Sequence, residues 1–119
     1  KKYDEAMDAM HIEHIQHVSG VYHSSAHLYM IRIPDISVEQ RNEIITRMAE
    51  NGVATNVHYK PLPMMSGYKA YGWDIKDFPN AYHLYHNEIT LPLHTLLSDE
   101  DVEIVIQTLR STLEEMKLL

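Results

Sequence analysis

The stretch "SVEQRNEIITRMAENGVATNVHYKPLP", residues 37–63, decides the reading of the fold. Ser37 is followed three residues later by Gln40, the spacing of a capping box at a helix N-terminus. Val38, Ile44, Ile45, Met48 and Ala49 then fall on one helical face. Asn51-Gly52 supplies a left-handed stop. Beyond it Val53, Thr55, Val57 and Tyr59 alternate with Ala54, Asn56 and His58, which predicts a strand. That strand ends on an imidazole and a phenol side by side, just before Pro61. A strand end of this composition is either ordinary packing or a corner that meets a ligand. Neighbouring side chains on a strand point to opposite faces, so one could pack while the other reaches outward.

Working outward, the same logic places the remaining elements. "HLYMIRIP", residues 27–34, alternates Tyr29, Ile31 and Ile33 against Leu28, Met30 and Arg32 and predicts a strand stopped by Pro34. Residues 60–77 hold aromatics, prolines and glycines without periodicity, and read as a long functional loop. A short helix follows, with Asp77 as its expected cap, Pro79 in its first turn, and Phe78, Ala81, Tyr82 and Tyr85 on one face. "EITLPL", residues 88–93, reads as a third strand. Ser98 opens the last helix, with acids at 99–101 matched to the positive end of its dipole. Its stripe is Val102, Val105, Ile106, Leu109, Leu113 and Met116. Tyr3, Ala6, Met7 and Met10 make an earlier helical stripe. Residues 11–26 read as irregular. The pattern gives an α/β sandwich, in α+β style, with one layer of sheet and helices packed on it.

Composition bounds the function. The 119 residues make one domain with a core of its own. Ten Lys+Arg against seventeen Asp+Glu give a net charge of −7. That balance argues against nucleic acid, whose phosphates require a cationic face. There is no cysteine, which removes disulfides, thiol nucleophiles and thiolate metal sites. No apolar run approaches the ~18 residues of a membrane span. With no signal peptide in view, the expected location is the cytoplasm. The first helical stripe begins with no cap before it, which suggests the tail of a longer chain.

Candidate chemistry is sparse. His11, His14 and His17 form HxxHxxH, which would spread over about 120° of a helix face. Zinc pairs on helices prefer i, i+4 spacing, so a solvated surface is the simpler reading. His83 and His86, one helical turn apart with Glu88 close in sequence, read as solvent-facing. His94 sits just past a strand with no partner identified. No lysine has the apolar setting that activates a Schiff-base amine. No nucleophile–base–acid set and no phosphate-cradling glycine loop is present. His58, Tyr59 and Lys60 remain as the substrate-binding candidates, with no catalytic, cofactor-binding or metal residue assigned.

"NGVATNVHYKPLP" together with "GYKAYGWDIKDFPNAYHLYHNEITLPLHTLLSDEDVEIVIQTLR", residues 67–110, resembles the C-terminal part of the DegT/DnrJ/EryC1/StrS family of pyridoxal-phosphate-dependent sugar aminotransferases. The resemblance rests on Gly52, the corner His58-Tyr59-Lys60-Pro61-Leu62, Asp77-Phe78-Pro79, and Thr90-Leu91-Pro92-Leu93-His94 followed by Ser98 and Asp101-Val102. "SAHLYMIRI", residues 25–33, is similar to a strand of the same family. Two positions depart from the pattern. Pro63-Met64 stands where the family often has a histidine, and Asn80-Ala81-Tyr82 where it often has an acid.

The resemblance implies the small C-terminal domain of a fold-type I transferase, with a roughly three-stranded, mainly antiparallel sheet. It implies that residues 1–10 end an interdomain helix and that residues 11–119 form the small domain. The cofactor, pyridoxal 5'-phosphate, would be bound by a large domain outside this chain, which alone would be inactive. The implied substrates are a nucleotide-linked keto sugar and an amino-acid donor, usually glutamate, and the implied assembly is a homodimer. His58, Tyr59 and Lys60 would face sugar or diphosphate. A stand-alone ligand-binding regulatory module, or a sugar dehydratase of the same family, are the readings left beside it.

Overall fold

The helix expected after Ser37 forms as its punctuation dictates. In the computed structural model, which describes all 119 residues, α2 spans Val38–Glu50. Ser37 Oγ accepts the main-chain N–H of Gln40, and the Gln40 side chain accepts the N–H of Ser37. At the far end the N–H of Val53 reaches the carbonyl of Met48 at 2.9 Å. Gly52 takes φ 82°, a conformation cheap only without a Cβ. Ile44 and Met48 are buried, as is Arg41, while Ala49 is exposed.

The other helices are α1 (Lys2–Ala9), the short α3 (Ser66–Lys69), α4 (Pro79–Tyr85) and α5 (Asp99–Glu115). Ser98 and Asp101 form a second capping box, at the start of α5. The sheet has three antiparallel strands in chain order: β1 (Glu13–His14), β2 (Tyr29–Arg32) and β3 (Glu88–Leu91). Register pairs Ile31 with Ile89 and Arg32 with Glu88.

Period-two alternation gives the sheet two different faces. Tyr29, Ile31, Ile89 and Leu91 turn one way. They join Tyr3 and Met7 of α1, Ile44 and Met48 of α2, and Val105, Leu109 and Leu113 of α5 in a single core. Tyr3 locks α1 to the end of the β3 segment by donating to the carbonyl of Pro92 at 2.8 Å. Met30, Arg32, Glu88 and Thr90 turn the other way. That second face carries the polar groups discussed below.

Three expectations are corrected. Residues 53–59 are not a strand. Only Asn56 pairs with β3, opposite Thr90. The next two main-chain donors leave the ladder: the N–H of Val57 goes to Asn56 Oδ1 at 2.8 Å and that of His58 to Glu88 Oε2 at 2.9 Å. The third strand is instead Glu13–His14, inside the segment read as irregular. It is too short for an alternation to show. Asp77 does not cap α4. It closes a 3₁₀ turn, Ile75–Asp77, capped by Asp74, and Phe78 stands at the cap of α4 with no side-chain bond.

The long segment 60–77 is punctuated by two 3₁₀ turns and α3. Tyr68 stacks on Trp73 at 5.8 Å and Tyr71 lies against the same indole at 6.2 Å, all three exposed to a large degree. No helix is long and apolar enough to cross a membrane.

Candidate ligand-binding corner

The corner at residues 56–60 is fastened to the outer edge of β3. Asn56 and Thr90 exchange main-chain bonds of 3.2 and 2.8 Å. The carboxylate of Glu88, 2% exposed, then takes the N–H of His58. The Thr90 hydroxyl bonds Glu88 Oε1 at 2.5 Å, and the imidazole Nδ1 of His58 lies 2.9 Å from the same hydroxyl. Glu88, Thr90 and His58 therefore form one continuous chain of hydrogen bonds. A buried carboxylate survives only when its oxygens are satisfied, and here both are.

Arg41 backs this chain from α2. It is 1% exposed, donates to the carbonyl of Glu88 at 3.3 Å, and lies over the Tyr85 ring at 4.8 Å. Loss of water pushes the Glu88 carboxyl above its ordinary range. The bonds from Thr90 and His58, with the charges of His58 and Arg41, oppose that rise without cancelling it.

His58 is half-buried and lines an open cleft of about 280 Å³ with His27, Asn56, Thr90 and Leu93. Its Nε2 has no hydrogen-bond partner. Tyr59 is 68% exposed, and its ring meets His58 edge-on at 4.6 Å. The His58–Tyr59 peptide is cis. The expected placement of the two rings on opposite faces fails because neither residue belongs to a strand. Lys60 is exposed and makes no ion pair. The structure thus brings His58 and Tyr59 together and leaves Lys60 beside them as a free cation.

Sequence reasoning missed Glu88, Thr90 and Arg41. It placed Glu88 near His83 and His86. In the structure His83 instead bonds Arg32 at 3.1 Å, His86 bonds the carbonyl of His83, and Glu88 turns to His58. The available signal was the pair Glu88 and Thr90 at i, i+2, on one face of a strand whose other face is Ile89 and Leu91.

Three further histidines have local partners. His14 lies 3.1 Å from an Asp8 oxygen, and His17 bonds Ser24 at 2.6 Å while packing against Tyr29. His94 is exposed and accepts the N–H of Leu96. No group of three or more His, Asp or Glu side chains is arranged to hold a metal ion. All six lysines are exposed. A Schiff-base amine needs a desolvated setting to lose its proton, so this chain's own residues do not fit a lysine-linked pyridoxal phosphate.

The chain is thus a small three-stranded antiparallel sheet with helices packed on it and a polar corner hung from the edge of β3. Residues 1–110 match the model of the DegT/DnrJ/EryC1/StrS aminotransferase family, and the chain belongs to that family. A solved apo structure from Streptococcus pneumoniae, described as a sugar aminotransferase, superposes with a TM-score of 0.93 at 44% identity. It covers 98% of this chain, which in turn spans 29% of that one. The spore coat polysaccharide biosynthesis protein SpsC of Bacillus subtilis is 36% identical over 71% of this chain and 22% of its own length. The UDP-4-amino-4,6-dideoxy-N-acetyl-beta-L-altrosamine transaminase of Campylobacter jejuni is 30% identical over 97% of this chain and 30% of its own length. The chain spans less than a third of the length of these relatives.

Proposed function

We propose that the protein containing this chain transfers an amino group from an amino-acid donor, glutamate, to a keto sugar carried on a nucleotide. Pyridoxal 5'-phosphate supplies the amino-carrying chemistry and is held by residues outside residues 1–119. In this reading residues 1–10 end the helix between two domains and residues 11–119 form the small one. That small domain is inactive alone and works in the cytoplasm within a homodimer. His58, Tyr59 and Lys60 meet the nucleotide sugar: a phenol, an imidazole and a cation on an open cleft suit a polyol next to a diphosphate.

The observation that carries the proposal is the aminotransferase-family match across residues 1–110. The relative named as a nucleotide-sugar transaminase, matched over nearly the whole chain, supports the substrate class.

The complete reading frame should encode roughly 250 residues ahead of Lys1, enough for the large domain of a two-domain chain. The test is release of 2-oxoglutarate from glutamate by that full protein, across a panel of nucleotide-linked keto sugars. His58→Ala and Tyr59→Phe should weaken sugar use and spare cofactor binding. Absence of 2-oxoglutarate with every sugar, or loss of cofactor in these two variants, defeats the reading.

A further inference from the structure

The chain Glu88–Thr90–His58 has a direction. The main-chain N–H of His58 can only donate, so Glu88 Oε2 is an acceptor. The Thr90 hydroxyl carries one proton and has two neighbours, Glu88 Oε1 and His58 Nδ1. If Glu88 is ionised, the hydroxyl must donate to it and accept from Nδ1. The imidazole proton then sits on Nδ1, and Nε2, which has no partner, presents a lone pair to the cleft. If Glu88 carried a proton on Oε1, both bonds of the Thr90 hydroxyl would reverse and Nε2 would present an N–H. Which nitrogen of a histidine is protonated is set by the bond the other one makes.

We propose that Glu88 and Thr90 are positioning residues that hold the His58 proton on Nδ1, so that Nε2 is a hydrogen-bond acceptor for a ligand hydroxyl and not a donor for a phosphate. The proposal rests on His58 facing the nucleotide sugar, and it assigns that contact to the sugar. The diphosphate is left to Lys60, the free cation beside it.

The groups around Glu88 permit the ionised state. Arg41 approaches from α2 and donates to its main-chain oxygen. His58 faces it from the corner. Arg32, its register partner on β2, turns away to Glu13, Asn87 and His83. Tyr85 of α4 is occupied under Arg41. The other carboxylate on this face, Glu13 of β1, lies beyond Arg32 in the same cross-strand row and is paired with that guanidinium at 3.2 Å.

The test is long-range ¹H–¹⁵N correlation of histidine-labelled protein, expressed from its complete reading frame, at pH 7.5. His58→Gln identifies the signal. The wild type should show the Nδ1–H tautomer. Glu88→Gln keeps the shape. Its amide oxygen must take the N–H of His58, so its NH₂ faces Thr90 and drives the hydroxyl proton to Nδ1. His58 should switch to the Nε2–H tautomer. Thr90→Ser should retain the wild-type tautomer and Thr90→Val should lose it. Up to tens of millimolar inorganic phosphate should leave the wild-type His58 signals in place. An Nε2–H tautomer in the wild type, an unchanged tautomer in both Glu88→Gln and Thr90→Val, or a phosphate-driven shift to imidazolium overturns the proposal. These readouts need no turnover. Failure of the aminotransferase assay would remove the sugar from the argument and leave the tautomer result standing.

Discussion

Glu88 Oε2 accepts the main-chain N–H of His58 at 2.9 Å, so the ligand corner is hung from a carboxylate taken out of water. This has a consequence for stability against pH. Burial raises the folded-state Glu88 pKa above its ordinary value of about 4.3, despite the opposing bonds and charges. Between the two values the folded state binds more protons than the unfolded state. The stability contributed by Glu88 is then full below the unfolded pKa and lost as pH rises through the folded one. Urea unfolding from pH 4 to 8 should show the wild type losing stability relative to Glu88→Gln across that window, with a constant difference above it. A relative gain on raising pH would contradict the burial argument.

The Ser37 capping box predicts a modest, local cost. Ser37→Ala removes the acceptor for the Gln40 N–H and should lower stability by about 1 kcal/mol. Ser37→Asp, which restores an acceptor at the dipole's positive end, should recover most of it. Denaturant midpoints at constant m-value read both. A loss much beyond 2 kcal/mol would mean that Ser37 does more than cap.

Two residues five apart on α5 should behave differently. Leu109 is fully buried between sheet and helices, and Leu109→Ala should cost about 2–5 kcal/mol. Ile104 is 56% exposed, and Ile104→Ala should stay within about 0.5 kcal/mol. Thermal or urea unfolding separates the two. Equal losses would mean that the outward face of α5 is covered in the native assembly.

Which parts of this architecture could be read from the sequence follows from how local each signal is. The α2 and α5 helices carry a cap, a stripe and, for α2, a glycine stop within a single window. β2 and β3 show their alternation for the same reason. Residues 53–59 alternate equally well yet make only one bridge. Whether an N–H joins a ladder or a side chain depends on Glu88, thirty residues away in sequence from His58. The strand at Glu13–His14 is defined almost wholly by its partner, β2. His58 and Tyr59 stood out because an imidazole and a phenol are costly ornaments at a strand end. Arg41 hid inside an amphipathic helix, where a guanidinium reads as surface until a carbonyl and a ring are found to cover it.

Lys60 and His58 should be distinguishable by salt. Lys60 is exposed and unpaired, so its pull on a diphosphate acts through water and is screened over about 8 Å at physiological ionic strength. An exposed charge contact of this kind is worth at most about 1 kcal/mol, so Lys60→Ala should raise the KM for nucleotide sugar by about fivefold or less. That effect should fade when salt is raised toward 1 M, where the screening length drops to about 3 Å. His58 is half-buried and held by Thr90, and its contact with a hydroxyl is a neutral hydrogen bond. His58→Ala should therefore cost about tenfold in KM, the usual worth of a hydrogen bond left unmade, with little dependence on salt. Steady-state kinetics of the full protein at two ionic strengths reads both. A salt-sensitive loss at His58 would place the diphosphate, not the sugar, against its Nε2.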